Sequence, residues 1–174
     1  MKTFTIKSIT LALFAVLSSL TSYSQISKAE IIATGLTCSM CSNAINKQLK
    51  SMPEVDSIST DLNTNTFTVY FKKDSDLAPK VLKNAVEKAG FFVGNMVLTM
   101  QIPATNFENN TAKIGNATFL FIDSKEPVAN TSIQFRVLDK GFVTQKEYKK
   151  LAKSYSKYPS YATDNEDMYH LKAI

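Results

Sequence analysis

Two side chains in this sequence are soft enough, and close enough together, to act as one chemical group. Cys38 and Cys41 are its only cysteines, three positions apart in Gly35-Leu36-Thr37-Cys38-Ser39-Met40-Cys41. Thiols so placed either share one soft metal ion or oxidise to a disulfide. A disulfide over this spacing closes almost no loop and stabilises little, so the pair reads as chemistry rather than as a staple. It falls between a predicted strand, Glu30 to Thr34, and a predicted helix, Ser42 to Met52. A helix N-terminus offers unpaired N–H groups and partial positive charge, and both favour thiolate over thiol. Two thiolates without neighbouring His, Asp or Glu make a sulfur-only, low-coordinate site. Such a site suits Cu(I) or Hg(II). Zn(II) or Cd(II) fits less well, because zinc takes four ligands, which a second copy of the pair would have to complete.

Dithiol–disulfide exchange is the rival chemistry, since thioredoxin-type enzymes also open a helix with two cysteines at this spacing. The chain has no tryptophan, no proline between the cysteines, and a different order of elements. Met40, between the cysteines, reads as a solvent-facing loop residue rather than a third sulfur ligand. Met96, Met100, Met168 and His170 are the candidates for a second soft site, but ordinary core methionines and a surface histidine are the expectation. His170 has no serine or cysteine that the sequence places beside it. Asp164, Glu166 and Asp167 read as a solvated acidic turn. There is no glycine-rich phosphate loop. The chain therefore reads as a binding protein, not an enzyme.

Periodicity supplies the elements that position the thiols. The predicted helix carries Ile45, Leu49 and Met52 at helical spacing and stops at Pro53. Val55 to Leu62 alternates, Asn63-Thr64-Asn65 turns, and Thr66 to Phe71 alternates again with Phe67, Val69 and Phe71 on one side. Leu77 to Ala89 is a second amphipathic helix with Gly90 as its cap, and Phe91 to Val93 opens a fourth strand. The order is βαββαβ, a split βαβ unit. The fold class is α+β: a ferredoxin-like domain over residues 28–95, then a small β-rich domain with one helix over 96–174. In the second part, residues 96–102 stay extended, Asn106 to Thr111 reads as a polar loop, and Thr118 to Ile122, Ser132 to Leu138 and Met168 to Ile174 read as strands. Thr144-Gln145-Lys146-Glu147 is a capping box opening a helix with Tyr148, Leu151 and Tyr155 on its apolar stripe. An open barrel is the shape expected for this part.

The motif in this setting resembles the GMTCxxC signature of the heavy-metal-associated domain family. That family includes copper chaperones, the N-terminal modules of copper-transporting ATPases and periplasmic mercury-binding proteins. The resemblance covers residues 28–95. It implies that Cys38 and Cys41 are the metal ligands, with Cu(I) foremost and Hg(II), Zn(II) or Cd(II) as alternatives. It implies a protein partner for metal transfer. Leu36 stands where the family usually has Met and would pack beneath the metal loop, a volume-conserving exchange. Phe91, in Ala89-Gly90-Phe91, would shield the site without ligating.

The start of the chain reads as an address. Lys2 and Lys7, an apolar run from Ile9 to Leu20, and the small residues Ser22 and Ser24 follow the grammar of a secretory signal over residues 1–24, cut after Ser24. The run is shorter than the roughly 18 residues of a spanning helix. Export to a bacterial periplasm is expected, with no membrane span afterwards. Losing Lys2 and Lys7 takes the formal charge from +5 to +3. The remaining charge looks evenly spread along the chain, with no basic block that reads as a nucleic-acid or anionic-lipid site.

Overall fold

In the computed structural model of the chain, the described residues are 25–36, 39–73, 75–102, 107–123, 131–163 and 167–174. The expected signal over residues 1–24, and Cys38 with Thr37, lie outside them. The first six elements are β1 (Gln25–Thr34), α1 (Ser39–Lys50), β2 (Val55–Asp61), β3 (Thr66–Phe71), α2 (Pro79–Lys88) and β4 (Phe92–Gln101). This is the βαββαβ order expected, with β1 starting earlier and α1 opening three residues sooner than the pattern suggested. β1 pairs antiparallel with both β3 and β4, placing Ile31 between Phe67 and Met96, all three fully buried.

Each strand's buried set follows the two-residue side-chain period. Phe67, Val69 and Phe71 face inward while Tyr70 is exposed. Helices α1 and α2 cover that inward face with Ile45, Leu49, Leu82 and Val86, all in the same core. Met96 and Met100 are wholly buried in it. They are core residues, so the alternative soft site has no accessible thioethers from β4.

The remaining elements are β5 (Phe107–Glu108), β6 (Thr111–Ile114), β7 (Ala117–Phe121), β8 (Ser132–Val137), α3 (Gln145–Ser154), a 3-10 turn (Pro159–Ala162) and β9 (Met168–Ala173). The part expected to be a polar loop, Asn106 to Thr111, instead holds β5 and a hairpin into β6. Asn109 and Asn110 both have positive φ (50° and 61°), the conformation that two-residue hairpin loops require and that asparagine tolerates. β4 crosses the boundary drawn between residues 95 and 96, and β8 pairs with its second half, Leu98 opposite Phe135. The described strands form one open sheet in the order β2-β3-β1-β4-β8-β9-β7-β6-β5. Among the described pairings its two edges, β2 and β5, do not meet, so the barrel expected for the second part is an open sheet. β9 lies in the middle, antiparallel to β8 and parallel to β7.

A single apolar layer runs through both parts. The core that holds Ile31, Phe67 and Leu82 also holds Phe119, Phe121, Phe135 and Leu171. Phe121 packs edge-on to Phe135, ring centroids 5.0 Å apart. The opposite face carries the second, smaller cluster: Ile122, Leu138, Tyr155 and Tyr161, with Tyr148 and Leu151 of α3 against it. Arg136, whose side chain alternates with those of Phe135 and Val137, reaches α3 on this face and grips Glu147 with two hydrogen bonds of 2.7 and 2.8 Å. Only half of the expected capping box is therefore made. Thr144 caps the helix, its Oγ1 accepting from the Glu147 N–H at 3.3 Å. The Glu147 carboxylate, which would complete the box, is taken by Arg136.

Candidate metal centre

Along the chain Cys38 falls between β1 and α1, and Cys41 falls within α1. Gly35 follows the last residue of β1 with φ +88°, a backbone state L-residues rarely adopt. That turn lifts the chain off the sheet. α1 then begins at Ser39, so Cys41 lies in its first turn, half-buried. The first turn carries no acidic residue, while Lys47 and Lys50 occupy the last. The N-terminal positive end of α1 is thus not offset by a local carboxylate, which is the electrostatic setting that favours an anion. Met40 is 79 % exposed, as expected, but belongs to α1 rather than to the loop. Ser42, next to Cys41, is buried at 5 % exposure, which its residue type does not signal.

The second wall is built by the end of α2. Ala89 caps the helix and Gly90 follows with φ +90°. The Gly90 N–H donates to the Glu87 carbonyl at 2.8 Å and the Phe91 N–H to the Val86 carbonyl at 3.2 Å. These are the two bonds of a Schellman cap, and they fix where Phe91 goes. Its ring packs on the main core and over Gly35: a Cβ placed on Gly35 would lie 3.8 Å from Phe91 Cδ1. Leu36 packs against the same core. Leu36 and Phe91 thus rest on one core, just past the ends of β1 and α2. Replacing Gly90 by alanine meets no heavy atom within 4 Å, so its cost is purely that of a left-handed backbone, about 1 kcal/mol. A fall in Tm of about 2–4 °C is expected by calorimetry.

His170 is withdrawn from any metal role. Its ring is buried, with Nδ1 2.7 Å from Asp139 Oδ1 and Nε2 2.9 Å from Ser160 Oγ. The ring thus bonds a carboxylate oxygen on one side and a hydroxyl on the other, and both of its nitrogens are satisfied. The other Asp139 oxygen accepts the His170 backbone N–H at 2.6 Å. The expected surface histidine is instead a buried clamp between the end of β8 and β9. Sequence spacing could not reveal it, because Asp139, Ser160 and His170 meet only through the sheet. Ser–His–Asp is also the order of an acyl-transfer relay. Yet the adjacent cavity, about 590 Å³, is lined by Asp139, Tyr161, Thr163 and Tyr169 and not by Ser160 or His170. Tyr161 stands edge-on to the imidazole at 5.0 Å and donates its hydroxyl to the Leu138 carbonyl at 2.6 Å. Burial, and then the Asp139 carboxylate, push that phenol's pKa up, so it stays a donor.

The split βαβ order, with Cys41 in the first turn of its first helix, defines a ferredoxin-like domain. The family model for the heavy-metal-associated domain matches residues 30–92, and this part of the chain is a heavy-metal-associated domain. Three solved structures are similar to the same part. The yeast copper transporter domain Ccc2a, solved in apo and Cu(I)-loaded states, is 29 % identical over 37 % of this chain and 88 % of its own, with a TM-score of 0.34. The CopZ metallochaperone is 27 % identical over 38 % of this chain and 98 % of its own, TM-score 0.36. The N-terminal domain of a potential copper-translocating P-type ATPase from Bacillus subtilis, in its Cu(I)-loaded state, is 31 % identical over 38 % and 82 %, TM-score 0.35. No curated protein sequence matches the chain. The part beyond residue 92 is matched by no family model. No described helix is long and apolar enough to cross a membrane.

Proposed function

We propose that this protein is exported and binds one Cu(I) ion through Cys38 and Cys41, for delivery, buffering or sequestration. The observation that supports this reading is the position of Cys41 in the first turn of α1, behind the Gly35 turn and in a heavy-metal-associated domain. Cu(I) accepts two sulfur ligands, and a cysteine pair at a helix start supplies them as thiolates. Release follows by ligand exchange. An incoming thiolate makes the ion three-coordinate before one cysteine leaves, so the ion passes to a partner without ever being free. The partner is a second thiolate-bearing protein, and the C-terminal part contributes recognition rather than a reaction.

An anaerobic Cu(I) competition titration tests this on the reduced chain recovered after export, whose mass should correspond to a start at Gln25. One tight equivalent is expected, lost in the Cys38→Ser/Cys41→Ser double variant. Tight binding that survives the double substitution, or none in the parent, would overturn the thiol site. Tighter binding of Hg(II) or Zn(II) than of Cu(I) would replace the metal and keep the ligands.

A further inference from the structure

Helix α3 sorts its residues into two opposed faces. Tyr148, Leu151 and Ala152 pack into the smaller cluster, with Tyr155 just past the helix end. Lys146, Lys149, Lys150 and Lys153 are all exposed. Their spacing is i, i+3, i+4, i+7, so they lie on a single stripe, on the side away from the apolar one. At 1.5 Å per residue that stripe is about 10 Å long. Its charge is uncompensated. The helix's one carboxylate, Glu147, is turned inward onto Arg136. Among the described residues none of the four lysines has an acidic partner, whereas Lys28, Lys80, Lys83 and Lys157 each do. Lysines three and four apart on a helix repel one another. A merely solvated face would mix the two signs, and this one does not.

We infer that this lysine stripe is a docking face for an anionic phospholipid surface. Lysine ammoniums are mobile point charges that suit a smeared negative surface; arginine is the residue that recognises fixed carboxylates in pairs. Lysine is also depleted in protein–protein interfaces, where aromatic residues and arginine are enriched, and the aromatic residues of α3 are committed to the interior. With its apolar face buried in the protein, the helix has nothing to insert into a bilayer. Attachment is peripheral, driven by charge and screened by salt. It holds a metal-binding domain near a membrane surface without anchoring it there. This inference does not depend on which metal, if any, the thiols hold.

Co-sedimentation with vesicles of phosphatidylglycerol and phosphatidylcholine tests it. Binding is expected at low salt, lost at high salt and absent on phosphatidylcholine alone. Each lysine changed to glutamine should weaken it about five-fold. The quadruple variant K146Q/K149Q/K150Q/K153Q should weaken it more than about a hundred-fold with an unchanged circular dichroism spectrum. A control with the same loss of charge, K47Q/K50Q/K73Q/K88Q, removes exposed lysines elsewhere and should stay within a few-fold of the parent. Equal losses in the two quadruple variants would reduce the effect to net charge and overturn the stripe. Binding to neutral vesicles, or none at low salt, would overturn the lipid surface, the latter in favour of an acidic protein.

Discussion

Truncating Phe135 to alanine is expected to cost about 3–5 kcal/mol and to loosen the metal-binding part along with the C-terminal strands. Phe135 is 1 % exposed, stands opposite Leu98 in the β4–β8 ladder and packs edge-on to Phe121. Both partners lie beyond the boundary drawn at residues 95 and 96, but Leu98 belongs to β4, which pairs on its other side with β1 of the metal-binding part. Because β4 is shared, neither part can expose its half of the core without stripping the other of a neighbouring strand. Urea unfolding followed by circular dichroism, alongside amide exchange in β2 and β3, checks this. One coincident transition, shifted to lower urea in Phe135→Ala, is the expected result. Two transitions, with the β2–β3 amides still protected through the first, would show that the metal-binding part stands alone.

Asp139→Ala is expected to destabilise the protein by about 3 kcal/mol, and Ser160→Ala by about 1 kcal/mol. Asp139 bonds two nitrogens of one residue, the His170 Nδ1 and its backbone N–H. Its removal strands both of them beside a ring that is almost wholly buried. Ser160 bonds the outer side of the same ring, only partly buried, and water can replace it. Thermal or chemical denaturation of the two variants gives the ranking. The double variant should lose less than the sum of the two if the three groups act as a chain. Equal effects from the two substitutions would contradict the clamp.

Legibility in the sequence followed the reach of the interactions. The βαββαβ part could be read because each element announces itself locally. Phe67, Val69 and Phe71 alternate, Ile45 and Leu49 repeat at helical spacing, and Gly90 ends α2. Phe91 was singled out only through the family resemblance, because its contact with Gly35 joins residues far apart in the chain. The hairpin at Asn109-Asn110 escaped because its strands are two and four residues long and polar outside. The half-made capping box at Thr144 escaped because a distant arginine outbid the local N–H for Glu147. The His170 clamp escaped because its three members are scattered from residue 139 to residue 170. The lysine stripe escaped a scan for basic blocks because helical period, not adjacency, gathers it.

The position of β9 has a consequence for biogenesis. Met168–Ala173 is the last of the described strands to be synthesised, yet it is inserted between β7 and β8, near the centre of the sheet. Until it arrives, β7 and β8 each present a bare edge of unpaired N–H and C=O groups next to Phe119, Phe121 and Phe135. Such edges are templates for pairing with other chains. A product that stops short of Met168 should therefore be recovered as aggregate or degraded, even though every residue of its metal-binding part has been made. The closing strand acts as a length check on the molecule.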